Sequence, residues 1–476
     1  MGDRIGVVDR ISELPDFIIH HIMSYLSSGE VAQMSALSKR WNYLWISFPI
    51  LVFNRWKMKS SRERTDEFIR FVDASILRFC ELQVRLQKFR VCMTVHDVER
   101  VTSLLDKWIE LAVALEVKEL DFNVKTDSDG DVEMDGDGGD GDGDGNGNGD
   151  SMYSLPESIF STKFFTTLNL RNCNLEQFSG TIRFQSLKKL LLDKVCIDEQ
   201  MVQNFIRGCP LLEDLFLSPI RHSDSVCVSP APKLKILTID SSSSLSDVDV
   251  IEIVSPSLQQ CTIISDLSDC VIDMAGCYDL KYLNLTDAEI SDEDFHNLIL
   301  KFPLLEKLIL CDCTVGRIAF SNNRLRELKV LYCESLISID VDAPSLLTFS
   351  YECISSPASI NIPRTCSWKA HFQFVVNVDT LIWFNSIKEL LEVPFEIEEL
   401  SISICVEWFY KKMTNRDAEC CNRHGIKCWQ YYLRDFKIES FIPFEDPKPH
   451  HIDNLITVLP ELRAGTIRFH LDWCFS

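Results

Sequence analysis

Four residues near the C-terminus, Cys420, Cys421, His424 and Cys428, crowd into nine positions and are the soft ligands that zinc prefers. A structural zinc site is normally closed by two separated pairs, and adjacent Cys420 and Cys421 are poorly placed to point at one ion. The segment reads instead as an amphipathic helix around Trp429, Tyr432 and Leu433, followed by a strand at Phe436–Phe441, with no metal. The run Asp140-Gly141-Asp142-Gly143-Asp144-Gly145 opens like a calcium loop, but its twelfth position is Ser151 where a bidentate Glu is required. Cys311-Asp312-Cys313 could do thiol chemistry only in an electropositive, exposed setting, and Cys313, like Cys173, reads as a buried structural thiol. There is no G-x-x-x-x-G-K-[ST], H-E-x-x-H, G-x-S-x-G or dinucleotide glycine fingerprint. No residue is therefore read as acid, base or nucleophile, no cofactor is expected, and the chain is expected not to be an enzyme.

The chemistry that remains is recognition, which needs a folded scaffold. With 46% hydrophobic residues in 476, there is enough apolar surface to order most of the chain. A net charge of -23 argues against nucleic acid as a general partner. Ten of those negative charges, with no Lys or Arg, lie between Asp127 and Asp150. Nineteen cysteines scattered over a long chain suit a reducing cytosol or nucleus better than a disulfide framework. Asp3, Asp9 and Glu13 interrupt any apolar leader, and no run reaches the ~18 apolar residues of a membrane helix, so no membrane partner is expected. Gly6 stands where a myristoylation signal wants Ser or Thr, and the sequon Asn284-Leu285-Thr286 is read as chance.

Three short helices are predicted at the N-terminus. Pro15 suits the first turn of a helix reaching about Leu26, on which Leu14, Ile18, Ile19, Ile22, Met23, Tyr25 and Leu26 cover about half the circumference. One core needs a stripe of only ~100°. The surplus marks a helix that packs on its own domain with one edge and offers the other to a partner protein. Ser27 and Glu30 have capping-box spacing for a second helix carrying Val31, Met34 and Leu37. Ser38 caps a third that sets Trp41, Leu44 and Trp45 on one face.

The string Leu14-Pro15, the Ile18, Ile22 and Leu26 ladder, then Leu37-Ser38-Lys39-Arg40-Trp41 and Leu44-Trp45, resembles an F-box of the kind that heads plant F-box/leucine-rich-repeat proteins. That resemblance implies docking onto a Skp-type adaptor and through it a cullin. The adaptor contacts it implies are Leu14, Pro15, Ile18, Ile22, Leu26, Val31, Leu37, Trp41, Leu44 and Trp45.

Beyond the F-box, fragments of the form L-x-x-L-x-L begin at Leu187, Leu212, Leu234, Leu258, Leu280, Leu305, Leu325 and Leu346, at intervals of 20 to 25 residues. Leucine-rich repeats have this period. Two copies, from Leu187 and from Leu280, align throughout: a strand, then a helix capped by Asp198 or Ser291 and stopped before Pro210 or Pro303. No such unit buries its own apolar face, so neighbours must stack. The period of two along each strand puts Leu283, Leu285, Leu308 and Leu310 in the core and Tyr282, Asn284, Lys307 and Ile309 on the opposite, concave face.

The fold class expected is α/β: a three-helix F-box followed by a repeat solenoid with a strand plus a helical or irregular return per unit. The boundaries are an F-box at 8–53, a first repeat region at 85–125 carrying Trp108, Ile109, Ala112, Val117, Leu120 and Phe122, a disordered acidic insertion at 126–152, the solenoid at 153–405, and a C-terminal cap at 406–476. This cap is similar to the C-terminal region of some plant F-box/leucine-rich-repeat chains. The resemblance implies a substrate-recognition subunit of a Skp-cullin-F-box ubiquitin ligase whose target, and the residues that hold it, are unknown. Two alternatives stay open. One is a repeat scaffold outside a ligase. The other is a small-molecule receptor with an inositol phosphate cofactor, disfavoured because strand charges such as Lys188, Lys235, Lys281 and Lys307 are scattered rather than clustered.

Overall fold

The computed structural model describes residues 11–376, apart from 127–151, 242–249 and several stretches of one to six residues, and then the strands Ile397–Ile404, Leu433–Phe441, Lys448–His451 and Thr466–Trp473. Side chains are described as far as residue 362. The chain forms two compact units, residues 1–247 and 248–476.

The first unit opens with α1 (Asp16–Met23), α2 (Ser28–Met34) and α3 (Lys39–Ser47). The caps are those the sequence announces. Ser27 Oγ accepts from the Glu30 amide while a Glu30 carboxylate oxygen accepts from the Ser27 amide, and Ser38 Oγ accepts from the Trp41 amide. α1 stops at Met23, short of the expected Leu26, because the chain tightens into a turn in which the Leu26 amide donates to the Met23 carbonyl.

Strand β1 (Ile50–Arg55) follows directly and pairs in parallel with β2 (Lys88–Val95), which pairs with β3 (Glu119–Thr126). Repeat stacking thus begins at residue 50 rather than at 85. The Val52 amide donates to Ser28 Oγ at 2.7 Å and ties this edge to α2. The helix α4 (Arg62–Leu82), absent from the sequence reading, joins β1 to β2, and α5 (Val98–Ala114) joins β2 to β3 with Trp108, Ile109 and Ala112 buried as expected. The sheet continues through Thr167–Arg171, Lys189–Asp193, Asp214–Ser218 and Ile236–Asp240, each parallel to the next. Between the second and third of these strands lies α6 (Glu199–Gly208), capped by Asp198.

The second unit stacks Gln260–Ile264, Tyr282–Thr286, Lys307–Cys311, Glu327–Leu331, Thr348–Cys353, Lys369–Val376 and Ile397–Ile404 in chain order, all parallel. The register runs Leu283, Leu308, Leu328, Phe349 in one buried row and Leu285, Leu310, Val330, Tyr351 in another. Tyr282, Asn284, Lys307 and Ile309 alternate onto the other face and are half-buried, as the period of two requires. α7 (Asp292–Leu300), capped by Ser291, forms one return.

Other returns are strands rather than helical or irregular segments. Arg317–Ser321, Ser338–Asp342 and Ser359–Asn361 form a separate parallel sheet, and Val250–Ile253 pairs with Val271–Asp273. The reason is local: Ile318 and Phe320, then Ile339 and Val341, are buried and alternate at the strand period with small or polar residues that are exposed or half-buried. Asn172, Lys194, Asp287, Asp312 and Tyr332 each follow a main strand with φ between 51° and 55°, so every such unit turns the same left-handed corner.

Further on, Leu433–Phe441 is a strand, antiparallel to both Lys448–His451 and Thr466–Trp473. Leu433, expected in a helix, is its first residue. Cys420, Cys421, His424, Cys428, Trp429 and Tyr432 lie outside the described residues, as does the acidic run Asp127–Asp150. Among the described residues no group of three or more His, Cys, Asp or Glu side chains is placed to hold a metal ion, and no helix is long and apolar enough to cross a membrane.

Candidate functional site

Two surfaces can do work: the outside of the three N-terminal helices and the open face of the strands. The helices close on a small core of Ile19, Met23, Val31, Trp41, Leu44 and Phe48, with Leu14, Leu26, Met34 and Trp45 packed against it. Arg40, on α3, reaches the start of α1, donating to the Leu14 carbonyl at 2.6 Å and to Asp16 Oδ1 at 2.8 Å. His20 Nε2 donates to the Leu44 carbonyl at 3.2 Å. These two links fix the angle between α1 and α3. Arg78 of α4 lays its guanidinium 3.8 Å from the centre of the Trp45 ring, so the helices are held to the first repeat by a cation–π contact as well as by chain.

The ten residues expected to meet an adaptor divide three ways. Val31, Trp41 and Leu44 are buried and shape the bundle from inside. Leu14, Ile18, Leu26 and Trp45 are half-buried. Pro15, Ile22 and Leu37 are exposed. The sequence reading missed two of the largest exposed groups, Phe17 at 70% and Tyr43 at 63% accessible, and counted Tyr25, at 77%, in the apolar arc but not among the contacts, beside Leu37 at 67% and Ile22 at 38%. At 100° per residue Phe17, Ile18 and Ile22 span about 140° of α1, with Ile19 and Met23 on the opposite side, and Tyr25 follows in the turn after the helix. Phe17 heads the apolar run Phe17-Ile18-Ile19 and looks no different from its neighbours in one dimension, so only the helix wheel joined to the buried set separates it from the core.

The open face carries rows of paired charge. In the first unit the register sets Arg90, Asp121, Asn169, Leu191, Phe216 and Thr238 in one row. Cys92, Asn123, Arg171, Asp193 and Ser218 form the next. Arg171 bridges Asp121 at 2.8 Å and Asp193 at 3.4 Å, and Asn172 donates to Asn123 at 2.8 Å. Burial pushes the Asp193 carboxyl up, against the pull of Arg171.

In the second unit Glu327 sits between Lys307 at 3.0 Å and Lys329 at 3.1 Å, and Lys307 also lies over the Tyr282 ring. Burial alone would raise the Glu327 carboxyl, but the two lysine hydrogen bonds and charges outweigh it and hold the group below the ordinary 4.5. A depressed folded value makes the carboxylate stabilising above about pH 4.5, a contribution lost as pH falls through the lower folded value. Glu327→Gln should therefore cost up to ~1 kcal/mol at pH 7. The gap between variant and parent melts should close at acid pH, and a gap independent of pH would mean the cost is packing rather than charge.

Burial disfavours the thiolate at most of the cysteines among the strands. Cys311 is pushed up to about 12 by burial and by Asp312, and Cys313, hydrogen-bonded with Cys333 and buried, is also raised. None of the cysteines with described side chains is in a disulfide.

A capped three-helix unit that runs into stacked parallel strand repeats defines an F-box/leucine-rich-repeat protein. Comparison with known families agrees with this architecture. The F-box domain matches residues 11–53, the leucine-rich repeats of the FBD-associated F-box protein At5g56370 match 146–270, and the leucine-rich-repeat domain of At1g61320/AtMIF1 matches 261–420. Similar proteins from Arabidopsis thaliana include the F-box/FBD/LRR-repeat protein At5g56420, 28% identical over 51% of this chain and 51% of its own length. The F-box protein At3g59000 is 28% identical over 69% of this chain and 66% of its own length. The FBD-associated F-box protein At5g56370 is 30% identical over 46% and 45%. The matched region thus spans about half the length of most of these curated relatives. The chain belongs to the plant F-box/leucine-rich-repeat proteins.

Proposed function

We propose that this chain is the substrate-recognition subunit of a Skp-cullin-F-box ubiquitin ligase, docking a Skp-type adaptor through its F-box and a target protein through its repeats. The observation that carries this is the exposed apolar face of α1, where Phe17 and Ile22 stand in water on a helix whose other side already fills the bundle core, with exposed Tyr25 in the turn that follows. Aromatic side chains in such a position are what protein partners use as anchors. Pro15 and Ile18 extend the face, Leu37 adds an exposed apolar group between α2 and α3, and Leu14, Leu26 and Trp45 pack against the core.

In this reading no residue of the chain is catalytic. The ligase's other subunits carry the ubiquitin chemistry, and this one holds a target lysine near the charged carrier, raising its effective concentration. Cysteines outside any disulfide suit a cytosolic or nuclear setting. The test is affinity purification of the tagged full chain from plant cells. Adaptor and cullin should co-purify in amounts matching the bait. Recovery of repeat-bound partners without either would mean a scaffold acting outside a ligase.

A further inference from the structure

We propose that a cleft in the first unit, between the end of α6 and the segment Gly180–Gln185, binds an acidic peptide segment of a partner protein, with its carboxylates held by Arg183 and Arg207. This site is separate from the F-box face and does not depend on the ligase reading.

The backbone builds the cleft. A Cβ on Gly208 would lie 2.5 Å from the Ile182 carbonyl oxygen, so only glycine lets the loop close on the helix end. The Phe184 amide then donates to the Gly208 carbonyl at 2.9 Å, and the Arg183 amide donates to the Phe160 carbonyl at 2.8 Å. Arg183 and Arg207 are the chain neighbours of these contacts. They therefore flank one opening of about 510 Å³, which Asn204, Thr181 and Gln185 also line. That volume is in the range of clefts that hold a drug-sized ligand, larger than a single small anion.

Charge sets the occupant. The protein carries -23, and Arg40, Arg90 and Arg171 each face a carboxylate. Among the described residues, neither the Arg183 nor the Arg207 guanidinium has an ion-pair or hydrogen-bond partner, and both are exposed. In the last turn of α6, Arg207 also complements the negative helix end, but that role needs one cation and leaves Arg183 unexplained. Two guanidinium forks at one opening match two carboxylates bidentately. Asn204 and Gln185 add amide donors for the peptide backbone. A nucleic-acid backbone would bring more charge than two arginines can balance, against the repulsion of an acidic protein.

The experiment is fluorescence anisotropy of a labelled, amidated hexapeptide carrying two glutamates among glycines, titrated with the full chain, alongside the same peptide with both glutamates replaced by glutamine. The acidic peptide should bind, with affinity falling as salt rises, and the neutral one should not. The double variant Arg183→Glu/Arg207→Glu should bind at least tenfold more weakly while its melting temperature stays at that of the parent. Arg183→Gln/Arg207→Gln, which adds no charge, should show a smaller loss in the same direction and guards against misfolding of the first variant. Equal affinity in parent and both variants would overturn the proposal, as would equal binding of the neutral peptide. If inorganic phosphate at the peptide's own concentration displaced it, the site would be one for an isolated anion and the peptide assignment would fall. If removing Asp127–Asp150 tightened binding more than tenfold, the cleft would belong to this chain's own acidic run and the partner assignment would fall.

Discussion

Truncation of Leu308 to alanine is expected to lower stability by ~2–5 kcal/mol, because its side chain is fully buried between the equivalent residues of two neighbouring strands. Removing it deletes contacts with Leu283 on one side and Leu328 on the other, so each loses packing that no other residue can restore. In a repeat array stability is shared across neighbour interfaces, and the damage should spread to the flanking strands. Lys307→Ala, one residue away, removes an ion pair to Glu327 between side chains that are about one-third exposed, and should cost no more than ~1 kcal/mol. Thermal melts of the two variants side by side check this. A larger loss for Lys307→Ala than for Leu308→Ala would reverse the strand register and move every open-face residue into the core.

The largest functional effect is expected from the F-box face. Phe17→Ala combined with Tyr25→Ala should weaken adaptor binding by two orders of magnitude or more, since central aromatic anchors each account for ~2 kcal/mol or more of an interface. Both residues are exposed and neither belongs to the bundle core, so the melting temperature of the double variant should match the parent. Trp41→Ala should behave differently. With 4% of its surface accessible, its loss should destabilise the bundle by ~3–5 kcal/mol, and adaptor binding should fall only because the face is no longer formed. Co-purification with a Skp-type adaptor, read together with melts, separates the two classes.

These two outcomes mark what could and could not be read from the chain alone. The capping residues Ser27, Ser38, Asp198 and Ser291 announce their helices because a hydroxyl or carboxylate accepting a backbone N–H is a local event. The alternation around Leu283 and Leu308 is local too, and fixes which side chains are buried. Which exposed apolar residues flank the F-box core is not local. It depends on how α1 meets α3, set by Arg40 and His20 across more than 20 residues of sequence. The strand Ile50–Arg55 was hidden because its apolar run continues the F-box, and its pairing partner lies beyond α4. That helix did leave a signal, in Phe68, Val72, Ile76 and Phe79 at spacings of four, four and three.

Hydrogen–deuterium exchange of the full chain, with and without a saturating Skp-type adaptor, tests the central claim most directly, since it reports where the adaptor sits. New protection is expected in α1, in the turn through Leu26, and at Leu37 and α3, with the strands from Thr167 to Ile404 unchanged. Protection confined to the strands, or no change at all in the presence of a folded adaptor, would contradict the assignment of the N-terminal helices as the docking module.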